Sequence, residues 1–373
     1  MRTFFKAMLA IAAMLTPSAL ALGSDVASAA ITVAYVSPHG SSTGHDASCQ
    51  TAAFSSINKA IGAVSAGGTV VVCRGTYDTQ AVIRKQLSLA GRPGAVINAR
   101  GQRPVPGLRA PAGSGVVVLA ASNVLVRGLE VVHAGYDAIL AVRSARVRVT
   151  GDDLLDNGHV GVDFDGTSFS LADHDVAKSN AGGGFLITDG AGRSSFDAIA
   201  WNVASGNPGG SGVIVAGDAA AGVTDNLVEH NVLTGDGTSR RHPGAGVLLA
   251  AGPARETVSG NGVYANTIYG NGLAGVTVHS RAKGQHMDGN QIISNNIGTN
   301  NTVGDKSIPG PPVKSRPDLR TTGILIAAAS GIKILISGNG IRRDFYGIFT
   351  EGRVRAKVSG NHDHRVTVRR EFA

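Results

Sequence analysis

Two aspartates separated by a single residue, in Gly161-Val162-Asp163-Phe164-Asp165, are the best candidates for chemistry in this chain. Side chains alternate across an extended strand, so Val162 and Phe164 turn to one side and Asp163 and Asp165 to the other. Their Cα atoms then stand about 6.6 Å apart. Carboxyl groups at such a spacing can be the acid and base, or acid and nucleophile, of a glycosidase. They can equally be two oxygen ligands of one Ca2+. The inert alternative is a solvated strand face.

Other polar groups gather round the pair. His159 lies in the turn just before it, and His133, Tyr136 and Asp137 lie in the matching turn one repeat earlier. Arg143 follows these, and Asp189 comes one repeat later. A histidine or tyrosine beside carboxylates that bind a uronate or a metal is what β-elimination needs. A base removes the proton next to the substrate carboxylate, and positive charge stabilises the enolate. C5-epimerisation shares that first step. The spacing therefore predicts His159 or Tyr136 as base and Asp163 and Asp165 as catalytic carboxylates or Ca2+ ligands. It predicts His133, Asp137, Arg143 and Asp189 as substrate contacts. Asp173-His174-Asp175 is expected to be structural.

These residues are positioned by a repeat. Nine segments begin with Gly or Ala and then alternate, among them Ala138-Ile139-Leu140-Ala141-Val142, Gly161-Val162-Asp163-Phe164-Asp165, Gly184-Phe185-Leu186-Ile187-Thr188 and Gly275-Val276-Thr277-Val278-His279. The tightest copies recur every ~23 residues, the range of solenoid repeats. A second element, such as Val258-Ser259-Gly260-Asn261, precedes each Gly strand. Strands this short, with no helices between them, satisfy their backbones by coiling, so that each pairs with its copy one turn later. Asn202, Asn231, Asn266 and Asn295 recur at matching places, with Asn226, Asn261 and Asn290 five residues before the last three. They are expected to stack inside turns rather than bind sugar.

Ahead of the repeats, residues 30–100 form an N-terminal cap with the first coils. Phe54, Ile57, Ile61 and Val64 share one helical face, which predicts a short helix covering the open end. Together with Tyr35-Val36-Ser37-Pro38, Gly67-Gly68-Thr69-Val70 and Gly75-Thr76-Tyr77, the repeats resemble the right-handed parallel β-helix of the pectate-lyase-like superfamily. The resemblance spans residues 31–368. It implies an all-β solenoid with a short N-terminal capping helix, on which many chemistries and some non-enzymes are built. The polygalacturonase set of Asp pair, Gly-His-Gly and Arg-x-Lys is not reproduced, and the Asp-Pro-His-Asp signature of alginate epimerases is absent.

Composition narrows the partners. Arg2 and Lys6, the apolar run 8–15 and Ala27-Ser28-Ala29 predict a signal peptide over 1–29, hence a secreted, extracellular chain. The rest, 30–373, reads as one domain, with coils over 116–368 and a long proline-rich loop at about 299–322. Two cysteines, Cys49 and Cys73, then predict one disulfide. The net charge of +8 favours an acidic polysaccharide. Nucleic acid is not expected, because basic residues are dispersed and aromatics few. No membrane contact is expected after cleavage, and the chain is expected to be a monomer. A lyase or C5-epimerase on a uronate polymer is the first functional expectation. A glycoside hydrolase using the Asp pair is the second. A non-catalytic carbohydrate-binding or surface protein, or an enzyme for a small molecule, is the third.

Overall fold

The computed structural model describes residues 31–41, 46–303 and 320–372. The expected signal peptide, and residues 304–319 of the expected loop, lie outside them. Among the described residues the regular structure is almost wholly β, and no helix is long and apolar enough to cross a membrane.

The chain winds as a right-handed parallel β-helix with three faces. In one coil, Ile139–Val142 lies on the first face, Ala145–Thr150 on the second and Asp153–Leu155 on the third. Val160–Asp165 then returns to the first. Each strand pairs in parallel with its copy one coil on: Ile139 with Val162, Leu140 with Asp163, Val142 with Asp165. Alternation follows from this register. Ile139, Val162, Phe164, Phe185 and Ile187 fill the interior and are completely buried.

The N-terminal end is closed by the helix Ile57–Ala63, which buries Ile57, Ala60 and Ile61. It begins later than its apolar spacing suggests. Ser56 caps it, its hydroxyl accepting the Lys59 N–H at 3.4 Å, while Phe54 bridges to Val36 in extended form. The Cys49–Cys73 disulfide ties this region to the first coil, with Cα atoms 5.6 Å apart.

The turns are built from side-chain ladders. The expected asparagines form one: the Asn202, Asn231 and Asn266 N–H groups each donate to the Oδ1 of the next member at 2.9 Å, ending on Asn295. Asp152 and Asp175 start this ladder, and Asn339 and Asn361 continue it. Asp173 instead takes a bidentate Arg148 guanidinium at 3.0 and 2.8 Å. A second ladder runs through Asp197, Asn226, Asn261 and Asn290. A third, which the sequence pattern did not reveal, runs through Asn157, Asn180, Asn207, Asp236, Asn271, Asn300 and Asp344.

Asp236 interrupts the third ladder. Its Oδ1 accepts from the Asn207 backbone and side chain at 3.1 and 2.7 Å, but Oδ2 is buried without a partner among the described residues. Burial pushes the carboxyl from 3.8 to about 7 against those bonds. Below the unfolded value both states hold the proton. Between the two values folding must take one up, so stability falls as pH rises through that window. Asp236→Asn supplies a donor and does not titrate. It is expected to stabilise the fold by about 1–3 kcal/mol at pH 8, with the gain shrinking toward pH 4. Urea denaturation at both pH values measures this, and a pH-independent difference would contradict it.

Candidate active site

Register brings the predicted residues together. Because Ile139 pairs with Val162, Tyr136 falls beside His159 and Asp137 beside Val160. The Tyr136 and His159 rings stack at 4.5 Å, within 3° of parallel. On the next coil His159 meets Gly182, where a β-carbon would stand 2.5 Å from the imidazole Cδ2. Glycine there leaves the ring its place. The turn is pinned by the His159 N–H donating to the Tyr136 carbonyl at 3.0 Å. Asn157 of the third ladder also holds the Ala134 N–H at 2.9 Å.

Asp137 is fully buried. Its Oδ1 lies 2.7 Å from His159 Nδ1 and accepts the Val160 N–H at 3.3 Å. This fixes the imidazole and leaves Nε2 to accept a proton. Burial raises the Asp137 pKa, and the His159 hydrogen bond pulls it back. Asp163 points outward from its strand yet is only 4% exposed, and its Oδ1 has no partner among the described residues. Burial, then the charges of Asp137, Asp165 and Asp218, hold its pKa well above the ordinary carboxylate range. Burial and these charges thus favour the neutral form of Asp163, which can donate a hydrogen bond. Asp165 rises to about 6, through burial opposed by the Ala191 N–H and by Arg143; that N–H bond is 2.6 Å. Burial and the same carboxylates raise the Tyr136 phenol, which stays protonated.

The other predicted contacts divide. Arg143 is exposed beside Asp165 and lowers its pKa. His133 is at a left-handed turn position, φ 57°, with Nδ1 3.2 Å from Asn98 Oδ1. Asp189 is fully buried, its two oxygens accepting the N–H groups of Asp218, Ala219, Ala221 and Gly222 at 2.7–3.0 Å. That shapes a loop and leaves nothing to offer a ligand. Asp137, expected to touch substrate, orients His159 instead. Asp218 was not foreseen. It is exposed beside this group and reaches the site through a loop insertion that the repeat spacing does not count.

The expected Ca2+ pair fits poorly. Asp137, His159 and Asp163 are the group whose ligand atoms lie within 4.8 Å of one another. Asp165 is not in it and has one oxygen committed to Ala191. An imidazole with two carboxylates is not the all-oxygen cage that Ca2+ prefers, so no step is routed through that ion.

Loops bound the site along the helix axis. Towards the N-terminus, Val105 and Leu108 cover Val117, Leu119, Leu140 and Val142. This explains why the outward face there is apolar. On the other side the 189–193 loop closes over Asp165.

No protein-family model matches the chain, and no curated protein is significantly similar to it in sequence. Solved structures are similar in fold. Pectate lyase Pel9A superposes with a TM-score of 0.60 at 17% identity, covering 88% of this chain and 79% of its own. The likeness is one of fold alone. The alginate lyase from Paenibacillus sp. str. FPU-7 gives 0.50 at 13%, over 84% and 94%. The A-module of the Azotobacter vinelandii mannuronan C-5 epimerase AlgE6 gives 0.51 at 17%, over 85% and 93%. All three share the parallel β-helix.

Proposed function

We propose that this chain is a carbohydrate-active enzyme that removes the C5 proton of a uronate in an acidic polysaccharide, as a lyase or a C5-epimerase. The observation that carries the reading is the His159 imidazole, fixed by buried Asp137, stacked on Tyr136 and beside the buried Asp163 carboxyl. His159 Nε2 takes the proton next to the carboxylate. Asp163, as an acid, and Arg143 hydrogen-bond to that carboxylate as it gains enolate charge. Tyr136 then gives its proton either to the departing O4, so that the C4–O bond breaks and a C4–C5 double bond forms, or to the opposite face of C5. The substrates named by the structurally similar lyases and epimerase agree with this class. Hydrolysis by the Asp163/Asp165 pair is disfavoured, because Asp163 is only 4% exposed and Asp165 commits one oxygen to the Ala191 N–H.

The test is to incubate the purified protein with pectate, alginate and hyaluronan. Ultraviolet absorbance, reducing ends and C5 proton exchange with deuterated solvent are then followed. Unsaturated product identifies the lyase, and deuterium uptake without it the epimerase. Reducing ends without absorbance, or no turnover of any polymer, would sink the reading.

A further inference from the structure

Charge is sorted along the coils. Residues 131–230 contain thirteen Asp and Glu against five Lys and Arg, whereas residues 320–373 contain four against ten. Residues 31–130 contain nine Lys and Arg against three Asp and Glu, so positive charge gathers at both ends, more densely at the C-terminal one. An acidic polymer is drawn to the ends by long-range attraction and not to the carboxylate-rich middle.

The strand Tyr346–Ser359 carries three of those ten cations. Its later part lies on the second face, with Val354, Ala356 and Val358 packed inward. Arg353, Arg355 and Lys357 alternate with them and point out, at intervals of about 6.6 Å. Lys333, on the preceding strand, is the register partner of Arg355. All four are exposed. Lys333 meets Asp288 at 3.4 Å, and no ion pair engages the other three among the described residues. Two shallow hollows of about 620 and 500 Å3 lie over this strip, sharing Asp288, Lys333 and Arg355. Three cations spaced along one strand, with Lys333 beside the middle one, make a track for a polyanion.

We infer that this strip anchors an acidic polysaccharide, its cations meeting the polymer's carboxylates. The strip lies six coils, about 29 Å, from Asp163 and on a different face. It works apart from the reaction centre, and the identity of its ligand rests on the uronate reading above.

The experiment compares the full chain with an R353Q/R355Q/K357Q variant for binding to alginate and polygalacturonate at low and high salt. Wild type is expected to bind, more weakly as salt rises, and the variant at least about tenfold more weakly at low salt. His159→Gln should bind like wild type, so binding without turnover upholds the strip even if the catalytic reading fails. Turnover of oligosaccharides too short to reach both places should be unchanged in the triple variant. Equal binding by variant and wild type, or wild-type binding to duplex DNA but to neither uronate polymer, would overturn the inference.

Discussion

Replacing His159 with Gln is expected to lower kcat on the responsive uronate polymer by about 10²–10⁴-fold, the usual worth of a positioned general base. KM should change little, because Arg143 and Asp163 still meet the carboxylate. Glutamine keeps a donor toward Asp137 and a flat group against Tyr136, so folding is not at issue. Asp137→Asn should reproduce much of the loss while leaving His159 in place, because an amide can donate toward Nδ1 and favour the wrong tautomer. Asp163→Asn should be milder than Asp163→Ala, since the amide still donates where the neutral acid did. The acid form of Asp163 is the working one, so activity should fall as pH rises through its ionisation, well above the ordinary aspartate range. Asp163→Asn should remove that alkaline limb. Steady-state rates across pH measure all four variants. If His159→Gln keeps more than a tenth of wild-type kcat, the base lies elsewhere.

The largest structural effect is expected at Asn266. Its Oδ1 accepts the Asn231 N–H and Nδ2–H at 2.9 and 3.0 Å. Its Nδ2 donates to the Val228 carbonyl at 2.8 Å and to Asn295 Oδ1 at 3.0 Å. The residue is fully buried. Asn266→Leu therefore leaves several polar groups unpaired in a place that water does not reach. At ~1–3 kcal/mol for each orphaned group, a loss of about 3–5 kcal/mol is expected, although relaxation spares part of the sum. Asn266→Asp keeps the acceptor, loses the donors and sets a carboxyl against Asn295 Oδ1, so it should also destabilise, increasingly as pH rises. Solenoid coils contact mainly their neighbours, so amide exchange should quicken first around Asn231 and Asn295. A change below about 1 kcal/mol would mean that the stacked amides are incidental.

Much of this was legible from spacing. Alternation with Gly marked the first-face strands, and the outward direction of Asp163 and Asp165 followed from Val162 and Phe164. The stacking of Tyr136 on His159 was available too, since the same offset that pairs Ile139 with Val162 pairs the two rings. What spacing could not give was direction and burial. Asp137 and His159 were both placed in the patch, but nothing in one dimension says that a fully buried carboxyl holds the imidazole. Nor does it say that Asp189 spends both oxygens on backbone N–H groups. Spacing offers Asp163 as a catalytic carboxylate or a Ca2+ ligand and says nothing of its protonation. Its near-complete burial among other carboxyls, one of them on an inserted loop, favours its acid form. The third ladder was hidden because Asp236 and Asp344 stand in it where an asparagine pattern would look for Asn.

The ladders set a fixed measure along the chain. Within a coil their members stand five residues apart, as in Asn226, Asn231 and Asp236, or Asn261, Asn266 and Asn271. From coil to coil the offset runs 23, 27, 29, 35, 29, 44 and 22 residues. All of that slack falls between the third ladder of one coil and the second ladder of the next, in the stretch that crosses the first face. Two sides of the prism are held to a ruler and the third is left free. The molecule is in effect a rack of interchangeable cassettes, in which loops beside Asp163 can be lengthened, shortened or replaced while every peg returns to its slot.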